Sequence, residues 1–534
     1  MDMERTPNPV PNYRWEPPQP KPLFKLTKSD IVFALCAVGG GIFTAIFGVF
    51  GGFSLGYMLS LILMTLLMAA YFAKSGKIRT WSALCGLLAL ASSAVFVCTS
   101  NGSVRFFGVI ISFLLQLTCF DGIVNLPVKG NRQSLNVFYG AASALGNTGV
   151  AVKSLFSDAN GGRRAIGKAL IGLLCAVPVL FVVVPLLISS DAAFGGMMDN
   201  LFGNAWETLL KAVFGIGMSM LVIAYGFSLK TGRISQAKQG SFAGVENVYI
   251  LSFLSAFAVC YLLYLFSQLA YFFSAFRGFL PDGEITYAQY ARKGFFEMCI
   301  IAVINLVMVF AALLLAKKQE GRVCRGIQIL ATFIGMFTLI IIATAISKMV
   351  LYIDAYGMTC LRLTTSAFMV FLAVVFGSVI LRIYTTKINV VKTALLTAGC
   401  VVLILGTVNV NAVCARYNYE SYRSGKLDTV DVATLYHLGD EGIPYLVKLA
   451  EGENTELAKQ AKNYLAKAYL WDYFDNMQHE KDFTAEELQK NQTYNGFSYF
   501  SLPKAAAYES LYDFIENHPE FSKECQSYYF AYMD

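Results

Sequence analysis

Charged residues, histidines and closely spaced cysteines are all scarce in this sequence. Charged residues make up 14% of the 534 residues, against about 25% in ordinary soluble domains. There are only three histidines, and none of the twelve cysteines forms a CxxC pair of the kind that metal and redox sites use. No group of His, Cys or carboxylate residues has the spacing of a ligand set or a catalytic triad. We therefore predict no catalytic residue, no metal and no cofactor, and an enzyme is disfavoured.

Two short motifs imitate known catalytic signatures. Residues 52–56 fit GxSxG, but a nucleophile elbow needs a strand-to-helix turn and a histidine, and all three histidines lie after residue 430. Residues 162–168 fit GxxxxGK, but Ala169 stands where a P-loop needs serine or threonine for magnesium. We interpret Gly52 and Gly56 as positions where helices approach closely. The second motif is interpreted as a basic membrane flank.

Long apolar runs are abundant instead. Hydrophobic residues make up 56% of the chain, and a helix needs about 20 apolar residues to cross a bilayer. The runs are continuous, unlike the short alternating strands of a barrel, which leaves helices as the spanning structure. We predict an all-α fold, a polytopic transmembrane helical bundle of about 11 spans. The predicted spans are residues 30–47, 54–73, 81–98, 106–120, 168–189, 208–229, 248–274, 296–316, 326–347, 365–384 and 392–411.

Positive charge is concentrated in every second loop between these spans. The N-terminal arm and the alternate loops after it carry 24 lysines and arginines, whereas the intervening loops carry six. The positive-inside rule therefore places the N-terminus in the cytoplasm. An odd number of spans then places the C-terminus on the extracytoplasmic side of the cell membrane. The basic residues face the headgroups of the lipid bilayer, so we predict no nucleic-acid partner.

The chain divides into three predicted regions. Residues 1–29 are polar and rich in proline, which is typical of a disordered cytoplasmic arm. Residues 30–411 form the transmembrane bundle. The chain carries a net charge of +16 over residues 1–411 and −9 over residues 412–534. This acidic region has apolar positions at helical spacing, and residues 438–470 resemble a helical hairpin of the TPR or HEAT kind. We predict a small, soluble, extracytoplasmic α-helical domain, which either binds an extracytoplasmic protein partner or serves as a structural lid.

Three segments resemble a known family. They are residues 347–369 (SKMVLYIDAYGMTCLRLTTSAFM), residues 408–446 (VNVNAVCARYNYESYRSGKLDTVDVATLYHLGDEGIPYL) and residues 186–194 (LLISSDAAF). The residues that carry the likeness include Lys348, Met349, Tyr352, Tyr356, Gly357, Thr359 and Arg362 in the first segment and Asn411, Arg416, Tyr417, Asn418, Gly425 and Pro444 in the second. The segments are similar to those of a bacterial, mainly Gram-positive, family of multi-pass membrane proteins known only as a domain of unknown function. The resemblance implies a multi-pass helical fold over most of the chain and brings no established activity.

Five residues are candidates for a functional site. Asp191 and Asp354 fall in the family-like segments at the outer ends of spans, where a charge is costly unless it is paired or functional. Arg362 follows Asp354 by eight residues across a Tyr-Gly turn, so the two could pair, either to lock the turn or to bind a substrate or ion. Pro178 and Pro185 break the fifth span, and broken helices line binding cavities in transporters, although kinks also occur in structural bundles.

Two functions are compatible with these features. The first is a sensory or scaffold component of the bacterial cell envelope, which the acidic C-terminal region and the lack of a clear charged pathway favour. The alternative is a transporter or lipid-handling protein with a cavity that opens to the extracytoplasmic face near the five candidate residues. A disulfide between Cys414 and Cys525, both predicted outside, is an alternative to free buried thiols.

Overall fold

The computed structural model describes residues 23–73, 80–124, 136–155, 204–233, 244–277, 295–317, 323–385, 387–468 and 497–521, with single positions at 179, 183, 186, 187, 190 and 525. Helices make up most of this part of the chain. Within it the only extended pairing is an isolated bridge between Val245 and Ala316. The protein is therefore an all-α polytopic bundle, as the sequence predicts.

The helices of the described part are, in chain order, α1 Lys28–Phe43 (continued by a π-helical turn, Thr44–Val49), α2 Leu55–Phe72, α3 Thr80–Ser92, α4 Val95–Cys98, α5 Gly102–Val124, α6 Asn136–Leu155, α7 Asn204–Thr231, α8 Asn247–Arg277, α9 Phe295–Leu315, α10 Arg325–Tyr356, α11 Cys360–Tyr384, α12 Val390–Thr407, α13 Val410–Arg423, α14 Val432–His437, α15 Ile443–Ala450, α16 Thr455–Ala468 and α17 Leu502–Asn517. Short 3-10 turns, Gly439–Glu441 and Phe497–Tyr499, precede α15 and α17.

Among the described residues, ten segments are long and apolar enough to cross a membrane, with α3 and α4 counted as one. They are α1 with its π-helical turn, α2, α3–α4, α5 and α7 to α12. Each coincides with a predicted span, because an uninterrupted apolar run of this length satisfies its backbone only as a helix in lipid. The eleventh predicted span, residues 168–189, lies outside the described residues.

Two of the predicted spans contain a break in the helix. The predicted span 81–98 bends at Ser93, whose hydroxyl donates to the carbonyl of Leu90. The predicted span 392–411 is a continuous helix only to Thr407, because Asn409 adopts a left-handed backbone conformation with φ of 59°. The side-chain oxygen of Asn409 then accepts a hydrogen bond from the backbone of Ala412 and begins α13, so a new helix direction starts at the membrane boundary.

One half of the bundle forms around α1, α2, α3, α5, α6 and α7. Helices α1 and α7 cross closely, at a point where two glycines meet. A methyl group on Gly41 would lie 2.5 Å from the carbonyl oxygen of Gly215, and one on Gly215 would lie 2.6 Å from the carbonyl oxygen of Gly41. Small residues therefore allow these backbones to pack directly against each other, as is common between membrane helices.

The other half of the bundle consists of α8 to α11, which enclose two apolar clusters. Helix α12 links the halves, since it packs against α11 on one side and against α3 and α5 on the other. A buried polar group lies within the second half. Asn305 on α9 accepts a hydrogen bond of 2.5 Å from Tyr261 and donates one of 2.9 Å to Thr338, so its amide is satisfied in the apolar interior.

The C-terminal helices α13 to α17 pack against one end of the bundle, which we call the junction end. It comprises the connections at residues 50–55, 99–101, 357–359 and 408–409. Valines from α4, α5 and α12 share one buried cluster with residues of the C-terminal helices. Helices α15 and α16 pack as a hairpin, as predicted, and the C-terminal helices share their core with the membrane helices. The other end of the bundle is called the opposite end.

Candidate functional site

Two of the five predicted site residues are described, and both lie at the junction end. Asp354 is in the last turn of α10 and Arg362 is in the first turn of α11. Pro178, Pro185 and Asp191 lie outside the described residues. The part of the predicted cavity that these three residues would line therefore lies outside the described residues as well.

The predicted ion pair between Asp354 and Arg362 is wrong. Arg362 donates instead to the backbone carbonyls of Tyr356 and Gly357, and its guanidinium lies 4.1 Å from the ring centre of Tyr352. The last carbonyls of a helix have no partner within the helix, so an arginine that begins the next helix can satisfy those of α10. This role holds the turn between α10 and α11 and leaves Asp354 to other partners.

Asp354 pairs with a residue of the C-terminal region. Lys426 donates to its carboxylate at 2.8 Å, and Tyr417 donates at 3.3 Å. The hydrogen bond to Asp354 raises the pKa of Lys426 above its usual value. Both side chains are about half exposed, and an ion pair in water contributes little to stability. The pair therefore lies where α10 and the loop after α13 meet, but it contributes little to holding these two segments together.

A much stronger contact joins the same two segments at Asn418. The side chain of Asn418 on α13 accepts a hydrogen bond of 2.7 Å from the backbone nitrogen of Met358 and donates one of 2.8 Å to the carbonyl oxygen of the same residue. Gly357, one residue earlier, has φ of 77° and ψ of 178°, a conformation that is essentially restricted to glycine. The glycine turn thus presents its backbone to the amide, and the two family-like segments meet here.

Glu441 provides the main polar contact between the C-terminal helices and the bundle. It follows α14 in a 3-10 turn, and only 5% of its surface is exposed. Its carboxylate accepts a hydrogen bond of 2.8 Å from the backbone nitrogen of Ser100 and a second bond from the Ser100 hydroxyl. Thr99 and Asn411 approach it at 3.4 Å. The connection between α4 and α5 therefore binds a buried carboxylate through several donors, which a buried charge requires.

Asparagines and an arginine complete this contact. The side chain of Asn411 accepts a hydrogen bond of 2.7 Å from Asn101 and donates one of 2.9 Å to the carbonyl of Leu438. Arg105 on α5 donates to the backbone carbonyls of Phe96, Thr99 and Gly52, and its charge interacts favourably with those of Asp440 and Glu441. The guanidinium thus links the ends of three membrane helices beneath the carboxylate. We call Thr99, Ser100, Asn101, Arg105, Asn409, Asn411 and Glu441 the polar junction.

Two cysteines, Cys360 and Cys414, lie close together at the junction end. The disulfide considered between Cys414 and Cys525 is not formed. Instead, the sulfur of Cys414 lies 3.8 Å from that of Cys360, which donates at 2.9 Å to the side-chain oxygen of Asn411. Contact with Cys360 and burial raise the pKa of the Cys414 thiol well above its usual value. Cys414 therefore remains protonated and packs in the shared core as a small apolar side chain.

The polar junction is suited to holding two structures together. Its donors and acceptors are directed at one another, and the described residues contain no group of three His, Cys, Asp or Glu that could hold a metal. Sequence reasoning missed Glu441, Arg105 and Asn101. A weak signal was present, because Asn411 and Asn418 both belong to the family-like segment that runs through the start of the C-terminal region.

A family model matches residues 58–449. This range includes most of the membrane bundle and the whole polar junction, and it ends within α15. The family is described as a domain of unknown function, DUF4153. No curated protein and no solved structure matches the chain. The match agrees with the resemblance inferred from the segments at residues 347–369 and 408–446, which the polar junction and the glycine turn bring together. This chain belongs to the DUF4153 family, which is defined by a domain of unknown function.

Proposed function

We propose that this membrane protein is a sensory or scaffold component of the bacterial envelope, in which the C-terminal helices are a rigid extension of the bundle on the extracytoplasmic side. The observation that carries the proposal is the burial of Glu441 among donors from the α4–α5 connection. A flexible tether would not need to bury a carboxylate. A rigid attachment transmits the position of the bundle to a partner, which suits a scaffold or a sensor.

Several observations support the proposed orientation. The basic residues are concentrated in the loops of the opposite end. Helices α5 and α7 run in the same direction, because Lys211, early in α7, lies 5.8 Å from the ring of Phe50 at the junction end, whereas Tyr225, late in α7, bonds to Asp121 near the end of α5. Consecutive spans alternate in direction, so this parallel pair supports one further crossing between them, as the predicted span 168–189 provides.

Exposed aromatic side chains beside the junction end also fit this placement. Phe497 and Phe500 are exposed by 50% and 41%, and they flank Tyr499, whose hydroxyl donates to the carbonyl of Phe50. The carbonyl of Phe500 accepts a hydrogen bond from Leu55 at the start of α2. Aromatic residues at the level of a span terminus are typical of the membrane–water interface. They support a C-terminal region that rests on the outer leaflet.

The orientation predicts which end a membrane-impermeant thiol reagent reaches. In intact cells we expect a maleimide to label Ser424→Cys, an exposed position after α13, and not Lys387→Cys, an exposed position at the opposite end. In permeabilised cells the reagent should label both introduced cysteines. The unmodified chain is the background control, because it carries lipid-facing cysteines such as Cys36. Labelling of Lys387→Cys alone in intact cells would contradict the proposed orientation.

The scaffold role predicts a protein neighbour on the outer face of α16. A photoreactive phenylalanine analogue placed at the exposed Gln460 should cross-link in living cells to a protein and give an adduct of one discrete mass. The matched control is the exposed Leu263 on α8, which lies within a membrane span and should give lipid adducts only. If neither Gln460 nor the neighbouring Lys459 gives a protein adduct, the scaffold proposal fails.

The transporter alternative has less support from the described residues. Its kinked helix and Asp191 lie outside them. Asp354 and Arg362, its remaining residues, bond to Lys426 and to backbone carbonyls within the protein. The attachment of the C-terminal helices is therefore the stronger basis for a function.

A further inference from the structure

A carboxylate near the opposite end of the bundle has an unusual environment. Asp121, close to the end of α5, is only 5% exposed. Its Oδ1 accepts a hydrogen bond of 2.8 Å from the hydroxyl of Tyr225 on α7. Its Oδ2 is buried and has no hydrogen-bond partner among the described residues. Within this part of the chain, one oxygen of the side chain is thus bound and the other faces no donor.

Other unpartnered polar atoms occur on the helix that packs against this part of α5. The indole nitrogen of Trp81 and the hydroxyl of Ser82, both in the first turn of α3, are buried and find no hydrogen-bond partner in the described part of the chain. The Ser82 hydroxyl lies against Gly122, since a methyl group there would come within 2.2 Å of it. Buried polar groups in proteins are nearly always satisfied, so several exceptions together need a functional explanation.

Asp30 provides a comparison, because it is a buried carboxylate whose surroundings suit the ionised form. It is also near the opposite end and only 3% exposed. Its oxygens accept hydrogen bonds of 2.5 Å from Lys230, 2.7 Å from Tyr71 and 2.7 Å from the backbone of Thr27. The hydroxyl of Thr27 also donates to it at 2.7 Å, so Asp30 has a cation and three further donors, whereas Asp121 accepts from one hydroxyl among the described residues.

The ionisable groups around Asp121 provide no cation for it among the described residues. Tyr225 faces it from α7, and Cys119 and Cys85 lie nearby in α5 and α3. Lys392 on α12 lies over the ring of Trp81 at 4.8 Å, and Lys230 on α7 and Tyr71 on α2 bind Asp30. On α6, Lys153 is exposed. An ionised carboxylate without a cation is very costly in a buried site, and a proton on its free oxygen removes that charge.

We propose that Asp121 is a proton-binding site, which carries a proton on Oδ2 at neutral pH while Tyr225 binds Oδ1, and which releases that proton when the contact between α3, α5 and α7 opens. The ligand is a proton. The site does not depend on the proposed scaffold role. It does lie on α5, the helix whose first turn carries Arg105 of the polar junction, so a change at Asp121 acts on an element that holds the C-terminal helices.

The test uses the full-length protein in detergent micelles and dicyclohexylcarbodiimide. This reagent takes the proton of a carboxylic acid, the carboxylate oxygen adds to the carbodiimide carbon, and the O-acylisourea rearranges to a stable N-acylurea that keeps every atom of both reactants. At neutral pH we expect mass spectrometry to find the adduct on Asp121 and not on Asp30. The adduct should disappear as pH rises and should be lost in Asp121→Asn, whose amide oxygen can still accept from Tyr225.

Tyr225→Phe keeps the test informative if Asp121→Asn fails to fold. It removes the one donor to the carboxylate that the described residues provide, which disfavours the ionised form, so labelling of Asp121 should extend to higher pH. Equal labelling of Asp30 and Asp121, or an unlabelled Asp121 in the folded protein, would overturn the proposal. Labelling that sodium chloride suppresses and choline chloride does not would also overturn it, because that result identifies a site for a monovalent cation.

Discussion

Replacement of Glu441 by alanine should detach the C-terminal helices from the bundle and lower the free energy of unfolding by about 3 kcal/mol. The reason is the set of donors that the carboxylate satisfies. Without it, the backbone and hydroxyl of Ser100 lose their acceptor, and the charge of Arg105 loses a favourable neighbour. The measurement is the thermal unfolding of the purified protein, together with the rate at which a protease cleaves between α13 and α16.

The matched control for this change is Glu420→Ala. Glu420 lies on α13 and binds the exposed Arg416 one turn away, so its loss removes the same charge from the same region without exposing a buried group. It should leave both unfolding and proteolysis unchanged. Ser100→Ala should give a smaller loss than Glu441→Ala, because the backbone nitrogen of residue 100 still reaches the carboxylate. Equal behaviour of Glu441→Ala and Glu420→Ala would remove the main support for a rigid attachment.

The membrane helices could be predicted from the sequence because their cause is local. A run of about 20 apolar residues is sufficient to define a spanning helix, and ten predicted spans coincide with described helices. The breaks at Ser93 and Asn409 could not be predicted in this way. They change the direction of the backbone within runs whose hydropathy is unchanged, and the left-handed conformation of Asn409 depends on partners such as Cys98, more than 300 residues earlier.

The partners of the candidate residues Asp354 and Arg362 could not be predicted from the sequence. Asp354 and Arg362 do lie at the junction end, but the spacing of eight residues suggested an ion pair where the structure has two separate contacts. Arg362 satisfies carbonyls of the preceding helix, a requirement of backbone geometry. Lys426, the partner of Asp354, is 72 residues away. Glu441 was missed because a sequence does not distinguish a buried carboxylate from a solvated one. In addition, the acidic C-terminal region was expected to be separate from the bundle.

The contact between Asn418 and the glycine turn gives the second large expected effect. Asn418→Ala leaves the nitrogen and the carbonyl of Met358 without the partner that Asn418 provides, which should cost about 2–6 kcal/mol, since each unsatisfied buried group costs about 1–3 kcal/mol. Asn418→Asp should lie between the alanine variant and the wild type. An aspartate still accepts from the nitrogen of Met358, but it cannot donate to the carbonyl. Thermal unfolding in detergent measures both.

Gly357→Ala should be costly for two separable reasons, which a double-mutant cycle resolves. A side chain at φ of 77° is strained by about 1–3 kcal/mol, and its methyl group would lie 2.7 Å from the side-chain oxygen of Asn418. Gly425→Ala shows the cost of a side chain at a similar positive φ without a clash, because Gly425 has φ of 73° and open space around it. In the Asn418→Ala background the clash is absent, so Gly357→Ala should cost less there than in the wild type.

The sign of the coupling decides what this contact does. If Asn418 and Gly357 act as one unit, the double variant is less destabilised than the two single variants predict together, because residues in contact couple whereas distant ones add. Additive losses would mean that the amide of Asn418 and the turn at Gly357 stabilise the protein independently. The two family-like segments would then be adjacent without being energetically coupled. A positive coupling makes the glycine turn and α13 one structural element, through which the end of α10 in the membrane fixes the first of the C-terminal helices.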